Sequence, residues 1–207
     1  MNCEFKDVVS PFDQVTYPGI AVDLPEMITG GLKGGIEGYL GPITPTATFA
    51  RVSPSGNFAP HQAHSDWVMG QYTALVYMNL PHQCVGGTSI LRHKNGMEVQ
   101  PRDVAGNEIL IRDSNKPELW DVVGLCEMKF NRLFLVDSTL IHRSEPVGGF
   151  GKTLLDGRLV LVRSSTWVSP ICLVLTDWLK SINSNNPPSE LRSTPFFYSR
   201  SRGMYLR

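Results

Sequence analysis

The sequence has 207 residues, a length that favours one domain of ordinary size. Its 19 lysines and arginines balance its 19 aspartates and glutamates, which argues against broad contact with nucleic acid or an anionic membrane. With 18% charged and 42% hydrophobic residues, the composition is typical of a folded globular protein. A chain of this length buries about 70% of its unfolded surface, so it needs no metal ion to fold. We therefore expect any metal site to serve chemistry.

The four cysteines are widely spaced, and no two of them form a CxxC pair. Residues 1–15 carry several acidic side chains, unlike a secretory signal. No apolar run reaches the roughly 18 residues that a membrane-spanning helix needs. We expect free thiols in a reducing compartment, and a soluble cytoplasmic protein.

The first predicted element is helical, because Pro25–Leu40 forms either one helix or two short pieces separated at its glycines. Five predicted strands follow, each rich in β-branched or aromatic residues: Thr46–Val52, Tyr72–Asn79, Thr88–His93, Arg132–Asp137 and Arg158–Val162. Little helical periodicity separates them, which favours an antiparallel sandwich or barrel over a parallel α/β sheet. A second helix is predicted at Ile171–Ile182. The fold class is therefore mainly β, with flanking helices near the two ends.

Residues 183–189 form a linker-like stretch between a predicted domain, residues 1–182, and a C-terminal arm, residues 183–207. The arm mixes basic with aromatic side chains: Arg192, Phe196, Phe197, Tyr198, Arg200, Arg202, Tyr205 and Arg207. Such a mixture can stack on single-stranded nucleic acid, so the arm keeps nucleic acid open as a partner. Because the rest of the chain has no basic surplus, we favour an arm that packs on the domain or on the second subunit of a homodimer. No membrane partner is expected.

The strongest chemical signal is the run His64-Ser65-Asp66. Residues two apart on a strand project from the same face, so His64 and Asp66 can present an imidazole and a carboxylate to one metal ion. A third ligand must come from elsewhere, and His142, just past the predicted strand Arg132–Asp137, is the candidate. Two neutral imidazoles and one carboxylate leave the opposite positions of a metal open, as in non-haem iron(II) oxygenases.

Other interpretations of these histidines stay open. The pattern HxD also occurs by chance, and a lone histidine near a strand end is usually a hydrogen-bonded surface or core residue. His61 and His64 are three apart and would share one helical face as zinc ligands. Against this, Pro60 and the turn before it disfavour a long helix there.

The order of the motifs resembles that of the 2-oxoglutarate and iron(II)-dependent oxygenases, in particular their prolyl-hydroxylase-like branch. That family has HxD on an early strand, a strand ending in tyrosine, an apolar residue and asparagine, then a Gly-Gly pair. A distal histidine and a last strand opened by arginine or lysine follow. The matching residues are His64-Ser65-Asp66, Tyr77-Met78-Asn79, Gly86-Gly87-Thr88, His142 and Gly157-Arg158. The resemblance covers residues 46–167, well over half of the chain.

The resemblance implies a double-stranded β-helix, also called a jelly roll or cupin-like fold, with a metal site inside its open end. Its iron(II) ligands would be His64, Asp66 and His142. The cosubstrate 2-oxoglutarate would chelate the iron and extend its far carboxylate to Arg158, assisted by the hydroxyl of Tyr77. A guanidinium stays charged and binds a carboxylate through two parallel hydrogen bonds. Arg163 is the competing anchor, but it has the opposite strand parity and is further from His142.

The resemblance also implies the reaction, in which dioxygen and 2-oxoglutarate give succinate, carbon dioxide and a hydroxylated substrate carbon. Ascorbate is a further candidate cofactor. Asp66 occupies the position that halogenating relatives leave to halide, which indicates hydroxylation. The expected substrate is a peptide side chain or a small molecule, and the insertion Arg92–Leu119 is predicted to form the lid that selects it.

Two other classes of function stay open for this sequence. One is a catalytically silent or zinc-binding jelly roll that acts as a binding or structural domain. The other is a cupin-type metalloenzyme that does not use 2-oxoglutarate. The motif of the nucleic-acid-demethylating members does not fit the residues around Arg158 and Arg163, so nucleic-acid repair is not supported.

Overall fold

The computed structural model describes residues 3–167 and, for the backbone alone, residues 197–198 and 203–206. Within these residues lie eleven strands and two α-helices. In chain order they are β1 (Lys6–Val9), β2 (Thr16–Ala21), α1 (Glu26–Leu40), β3 (Ile43–Ser53), β4 (Tyr72–Tyr77), β5 (Gly87–His93), α2 (Val104–Asp113), β6 (Trp120–Glu127), β7 (Leu133–Asp137), β8 (His142–Glu145), β9 (Arg158–Trp167), β10 (Phe197–Tyr198) and β11 (Gly203–Leu206). Short 3-10 turns lie at Trp67–Met69, Pro81–Gln83 and Pro117–Leu119.

The strands form two antiparallel sheets. The larger sheet has the order β1-β2-β3-β9-β4-β7-β11-β10, and the smaller has the order β6-β5-β8. A backbone bridge between His64 and His142 adds the segment around His64 beside β8. One hydrophobic cluster combines buried side chains of both sheets, among them Leu75, Ile90, Cys126, Phe134 and Val160. The predicted mainly β fold is confirmed at this level, and the arrangement is consistent with a β-sandwich.

The two faces of β9 lie in different environments. Val160 and Val162 pack in the cluster between the sheets, and Arg158 shares their face because alternate residues of a strand point the same way. Leu161 points to the opposite face, where it packs with residues of β2, β3 and α1. Arg163 shares that face with Leu161, so the two candidate arginines lie on opposite sides of the sheet.

Helix α1 covers the outer face of the larger sheet. Its five glycines each cost about 1 kcal/mol of helix propensity relative to alanine. Apolar side chains nevertheless recur every four residues, at Ile28, Leu32, Ile36 and Leu40, and they pack against the sheet. This apolar stripe keeps the helix continuous, so Pro25–Leu40 forms one helix instead of two pieces.

Helix α2 lies within Arg92–Leu119, where the sequence pattern predicted a lid and no helix. The Asp103 side chain caps its start by accepting a hydrogen bond from the Gly106 backbone N–H at 2.8 Å. Leu110 packs with Leu91, Trp120 and Ile141, a cluster separate from the core between the sheets. In this structure the segment supports the smaller sheet, and its role as a lid stays a prediction.

The Gly-Gly pair before Thr88 has a packing reason. Gly86 has a φ of +66°, and a Cβ on it would lie 2.2 Å from the carbonyl oxygen of Glu145. Any side chain would therefore strain the backbone and collide with the strand beside it. Glycine at this position allows β5 to begin directly against β8.

The C-terminal predictions fall mostly outside the described residues. This holds for the helix predicted at Ile171–Ile182 and for most of the arm, residues 183–207. The backbone of β11 pairs antiparallel with β7, and β10 pairs with β11. A part of the arm therefore extends the larger sheet.

Cys3, Cys84 and Cys126 are free thiols, which confirms the prediction for these three residues. Cys172 lies outside the described residues. Among the helices that the structure describes, none has the length and apolar character required to cross a membrane.

Candidate metal centre

Backbone hydrogen bonds bring the three predicted ligands together. His64 and His142 are bridge partners: the His64 N–H donates to the His142 carbonyl at 3.1 Å, and the His142 N–H donates to the His64 carbonyl at 2.8 Å. The Asp66 N–H donates to the Ser138 carbonyl at 2.9 Å. Main-chain hydrogen bonds thus hold His64 and Asp66 against the segment 138–142, which contains His142.

The local structure differs from the prediction at two of these residues. Asp66 does not continue a strand, because it has φ −100° and ψ 15° and precedes the 3-10 turn Trp67–Met69. His142 follows β7, as predicted, but it also begins β8, a strand that was not predicted. The same-face argument for His64 and Asp66 was therefore wrong in its mechanism, although the two side chains do meet.

The side chains form a compact cluster, which we call the triad. His64 Nε2 lies 3.8 Å from Asp66 Oδ1, and His142 Nε2 lies 3.5 Å from Asp66 Oδ2. One ligand atom of each residue lies within 4.8 Å of the others. In the part of the chain that the structure describes, this is the single such group of histidine, cysteine or acidic side chains. A metal ion is therefore compatible with the spacing.

Hydrogen bonds behind the rings leave the right nitrogens for a metal. Nδ1 of His64 lies 3.0 Å from the Gln62 carbonyl, and Nδ1 of His142 lies 2.9 Å from the Leu140 carbonyl. A carbonyl oxygen only accepts, so each Nδ1 carries the proton and each Nε2 keeps its lone pair for a metal. The two Nε2 atoms are the ones next to Asp66.

The protonation state of His64 also suits a ligand. Burial of the ring, together with the nearby His142, lowers the pKa of His64 to about 4. The ring is therefore neutral at pH 7, and the neutral form is the one that binds a metal. The side chain of His64 remains 31% exposed, against 8% for Asp66 and 5% for His142. Small molecules can therefore approach the triad from the His64 side.

A cavity lined by three arginines adjoins the triad, and we call it the arginine pocket. Arg51 of β3, Arg143 of β8 and Arg158 of β9 line it together with Gln62. Gln62 provides the carbonyl that orients His64. Besides burial of the ring and the nearby His142, the charge of Arg51 lowers the pKa of His64, so the pocket meets the triad on the His64 side.

Arg158 is the first residue of β9, and its side chain is buried. Its Nη2 donates to the Gly87 carbonyl at 3.1 Å and to Thr88 Oγ1 at 3.4 Å, whereas its Nε is buried without a partner among the described residues. Burial lowers its pKa from the usual arginine value. The guanidinium is thus held in place with donor capacity left for a ligand.

Tyr77 supports Arg158 from β4. Its hydroxyl donates toward Thr88 Oγ1 at 2.9 Å and the Cys126 carbonyl at 3.2 Å, and the side chain is fully buried. The Arg158 guanidinium carbon lies 5.9 Å from the centre of the Tyr77 ring. Burial raises the pKa of the Tyr77 hydroxyl, so it stays protonated. Tyr77 and Arg158 share Thr88 as a hydrogen-bond partner, and Tyr77 does not line the arginine pocket.

The competing candidates lie elsewhere. Arg163 lines a separate cavity with Ile36 and Leu40 of α1, on the other face of the larger sheet. His61 does not join the triad, and its Nδ1 lies 3.4 Å from Ser114 Oγ. The zinc pair of His61 and His64 on one helical face is wrong, since these residues are not helical.

Two features of the site were missed from sequence. Arg51 lies in a predicted strand of mostly apolar residues, and that contrast was a usable signal for a functional side chain. The hydrogen bonds that hold Gln62 and Ala63 in place could not be predicted from the sequence. The backbone N–H groups of these residues donate to Asn115 Oδ1 and to the Ser114 carbonyl, each at 3.0 Å. These partners follow α2, more than fifty residues later in the chain.

Comparisons with protein-family models, with curated proteins and with solved structures give no match to this chain.

Proposed function

We propose that this protein is a non-haem iron(II) and 2-oxoglutarate-dependent dioxygenase that hydroxylates a peptide side chain or a small molecule. The observation that carries the proposal is the position of the triad beside the arginine pocket. The triad supplies an open metal site, and the pocket supplies guanidinium groups for a dicarboxylate. Either feature alone also suits proteins of different function, but together they match the two molecules that such an enzyme binds.

The order of strand pairing supports a jelly-roll fold. In the series of strands from β3 to β9, β3 pairs with β9, and the segment around His64 pairs with β8. β4 pairs with β7, and β5 pairs with β6 at the centre of the sequence. This nested antiparallel pairing is what a long hairpin produces when it winds into a double-stranded β-helix.

The donor set of the triad fits iron(II). Two imidazoles and one carboxylate are the ligands of the facial triad in non-haem iron(II) oxygenases. His64, Asp66 and His142 would hold the ion, and the Gln62 and Leu140 carbonyls would keep the rings in orientation. The Asp66 carboxylate would offset part of the metal charge.

The arginine pocket fits the cosubstrate. Arg158 presents a buried guanidinium with an unpartnered Nε, and carboxylates bind guanidinium groups through charge-assisted hydrogen bonds. Thr88 and Tyr77 would hold Arg158 in orientation while it binds the far carboxylate of 2-oxoglutarate.

Iron(II) held by His64, Asp66 and His142 would supply the activation of dioxygen that this reaction needs. In the balanced reaction, 2-oxoglutarate, dioxygen and a substrate C–H give succinate, carbon dioxide and a substrate C–OH. One oxygen atom enters succinate and the other enters the hydroxyl group. Apolar side chains between the sheets, such as Leu75 and Val162, would limit the access of water.

The test is succinate formation by the purified protein supplied with iron(II), ascorbate, 2-oxoglutarate and air. We expect succinate from the wild type and none from the Asp66→Ala variant, with both proteins folded by circular dichroism. Because the reaction is slow without the true substrate, metal-dependent binding of 2-oxoglutarate is measured by calorimetry in parallel. Absence of both succinate and metal-dependent binding would contradict the proposal and favour a silent or zinc-binding domain.

A further inference from the structure

Arg51 places a second guanidinium on the same inner face of the larger sheet as Arg158. In the register of β3 with β9, Arg51 pairs with Val160 and Ser53 pairs with Arg158. Directly paired residues share a face, and so do residues two apart on a strand. Because β3 and β9 are antiparallel, Arg51 lies one two-residue step from the Arg158 position along the same face. Both side chains line the arginine pocket.

Neither Arg51 nor Arg158 forms a salt bridge with an acidic side chain among the described residues; the charge of Glu145 acts on Arg158, but Glu145 is itself paired with Arg143. Arg143, the third arginine of the pocket, pairs with Glu145 through Nη2 at 2.7 Å and Nε at 2.9 Å. By contrast, the Nε atoms of Arg51 and Arg158 are both buried without a hydrogen-bond partner in the described part of the chain. Burial and the nearby charge of Arg158 lower the pKa of Arg51 to about 10. Two guanidinium groups without salt bridges in one cavity favour a ligand with two negative charges.

We propose that Arg51 binds the carboxylate next to the metal while Arg158 binds the distal carboxylate of the same dicarboxylate ligand. This inference rests on the proposed function for the identity of the ligand, 2-oxoglutarate. A single ligand is favoured over two because both arginines line one cavity. A carboxylate on the hydroxylated substrate would bind Arg51 through the same interaction as a carboxylate of 2-oxoglutarate. The experiment below distinguishes these two ligands.

The pocket then binds dicarboxylates before any metal is present. Metal-free protein, prepared with a chelator, is titrated with succinate and with 2-oxoglutarate by calorimetry. The variants are Arg51→Met, which removes the charge at similar length, and Arg51→Lys, which retains it. Arg92→Met is the matched control, because Arg92 is exposed and pairs with Glu98 outside the pocket.

We expect Arg51→Met to weaken succinate binding by about tenfold to a hundredfold, the usual loss for a hydrogen bond to a charged group. Arg51→Lys should recover part of the affinity, and Arg92→Met should behave like the wild type. Butyrate, which has one carboxylate in place of two, tests the two-ended contact. The preference for succinate over butyrate should shrink in Arg51→Met.

Two results would overturn the assignment of Arg51. One is an unchanged succinate affinity in a folded Arg51→Met protein. The other is an Arg51→Met protein whose KM for an identified substrate rises while its KM for 2-oxoglutarate stays at the wild-type value. Arg51 would then bind the substrate and not 2-oxoglutarate.

The outcomes are distinguishable from failure of the proposed function. If Arg51-dependent dicarboxylate binding occurs without succinate formation from 2-oxoglutarate, the pocket assignment stands and the oxygenase proposal fails. If 2-oxoglutarate is turned over and Arg51→Met leaves its KM and the succinate affinity unchanged, the function stands and the role of Arg51 fails.

Discussion

His64 and His142 face each other across a backbone bridge in which each N–H donates to the carbonyl of the other. Their ring centres lie 4.6 Å apart. Main-chain hydrogen bonds therefore fix the backbone positions of two of the three proposed metal ligands, and carbonyl contacts orient their rings. A metal ion would enter a site that the fold has already formed.

Removal of metal should therefore leave the fold intact. We expect chelator-treated protein to keep its β-sheet circular dichroism spectrum, and added metal to raise the Tm only through binding to the native state. Thermal melts with and without chelator check this. Loss of the β-sheet signal in the chelator would contradict a preformed site and indicate a structural metal.

Arg158 and Arg163 should differ in their effect on the cosubstrate, because they lie on opposite faces of the larger sheet. Arg158→Ala is expected to weaken 2-oxoglutarate binding to the metal-loaded protein by about tenfold to a hundredfold. Arg163→Ala, which changes the face toward α1, should leave that affinity within about twofold of the wild type, well below the loss of a charged hydrogen bond. Calorimetry measures both, after circular dichroism has verified folding. The reverse pattern would assign the anchor to Arg163.

The carboxylate of Asp113 should make stability depend on acid pH. Hydrogen bonds from Arg112 and Lys116 hold the pKa of this carboxyl well below its usual range. A depressed folded-state pKa contributes stability above the unfolded value, near 4, and that stability is lost as the pH falls further. Asp113→Asn should lower the Tm by several degrees at pH 7.

The gap in Tm between wild type and Asp113→Asn should narrow below about pH 4, as the wild-type carboxyl begins to lose its advantage. Melts from pH 7 to pH 2.5 follow it. Asp121→Asn is the control, because Asp121 forms an exposed pair with Lys94 and should change the Tm little. A gap that is constant with pH would show that the charge of Asp113 is not responsible.

Cys126 should resist alkylation in the native protein. Its side chain is buried, and burial raises the pKa of its thiol from 9.0 to about 11, which lowers the thiolate fraction about a hundredfold near pH 8. Cys3 and Cys84 are partly exposed and should react sooner. Mass spectrometry of peptides after timed iodoacetamide treatment measures each site. Early labelling of Cys126 without denaturant would contradict the packing of β6.

The triad and the central strands were predictable because their signals are local. The run from His64 to Asp66 is short, and the strands that became β4, β5, β7 and β9 are dense in β-branched and aromatic residues. Their observed bounds differ by a few residues, most at β9, which extends to Trp167. Here the polar residues Arg163, Ser164 and Ser165 are buried by neighbouring strands, a tertiary effect that composition does not reveal.

Other elements depend on contacts between distant residues. Leu110 is the one buried apolar side chain of helix α2, so no apolar stripe of helical period marks this helix in the sequence. Strands β1, β2, β6 and β8 were also missed; β8 has just four residues, His142–Glu145, and is defined by its pairing with β5. That Arg51 and Arg158 line the same pocket depends on the register of β3 and β9, which the sequence pattern does not predict.

The most direct test of the proposed metal centre is a titration of metal-free protein with manganese(II), a redox-stable substitute for iron(II). We expect the wild type to bind a single ion per chain, and the Asp66→Ala variant to lose more than about a hundredfold in affinity, because even groups behind metal ligands contribute 10–100-fold. An Asp121→Ala protein, changed at an exposed carboxylate, should bind like the wild type. Binding that is absent in the wild type, or equal in the Asp66→Ala variant, would contradict a metal centre formed by His64, Asp66 and His142.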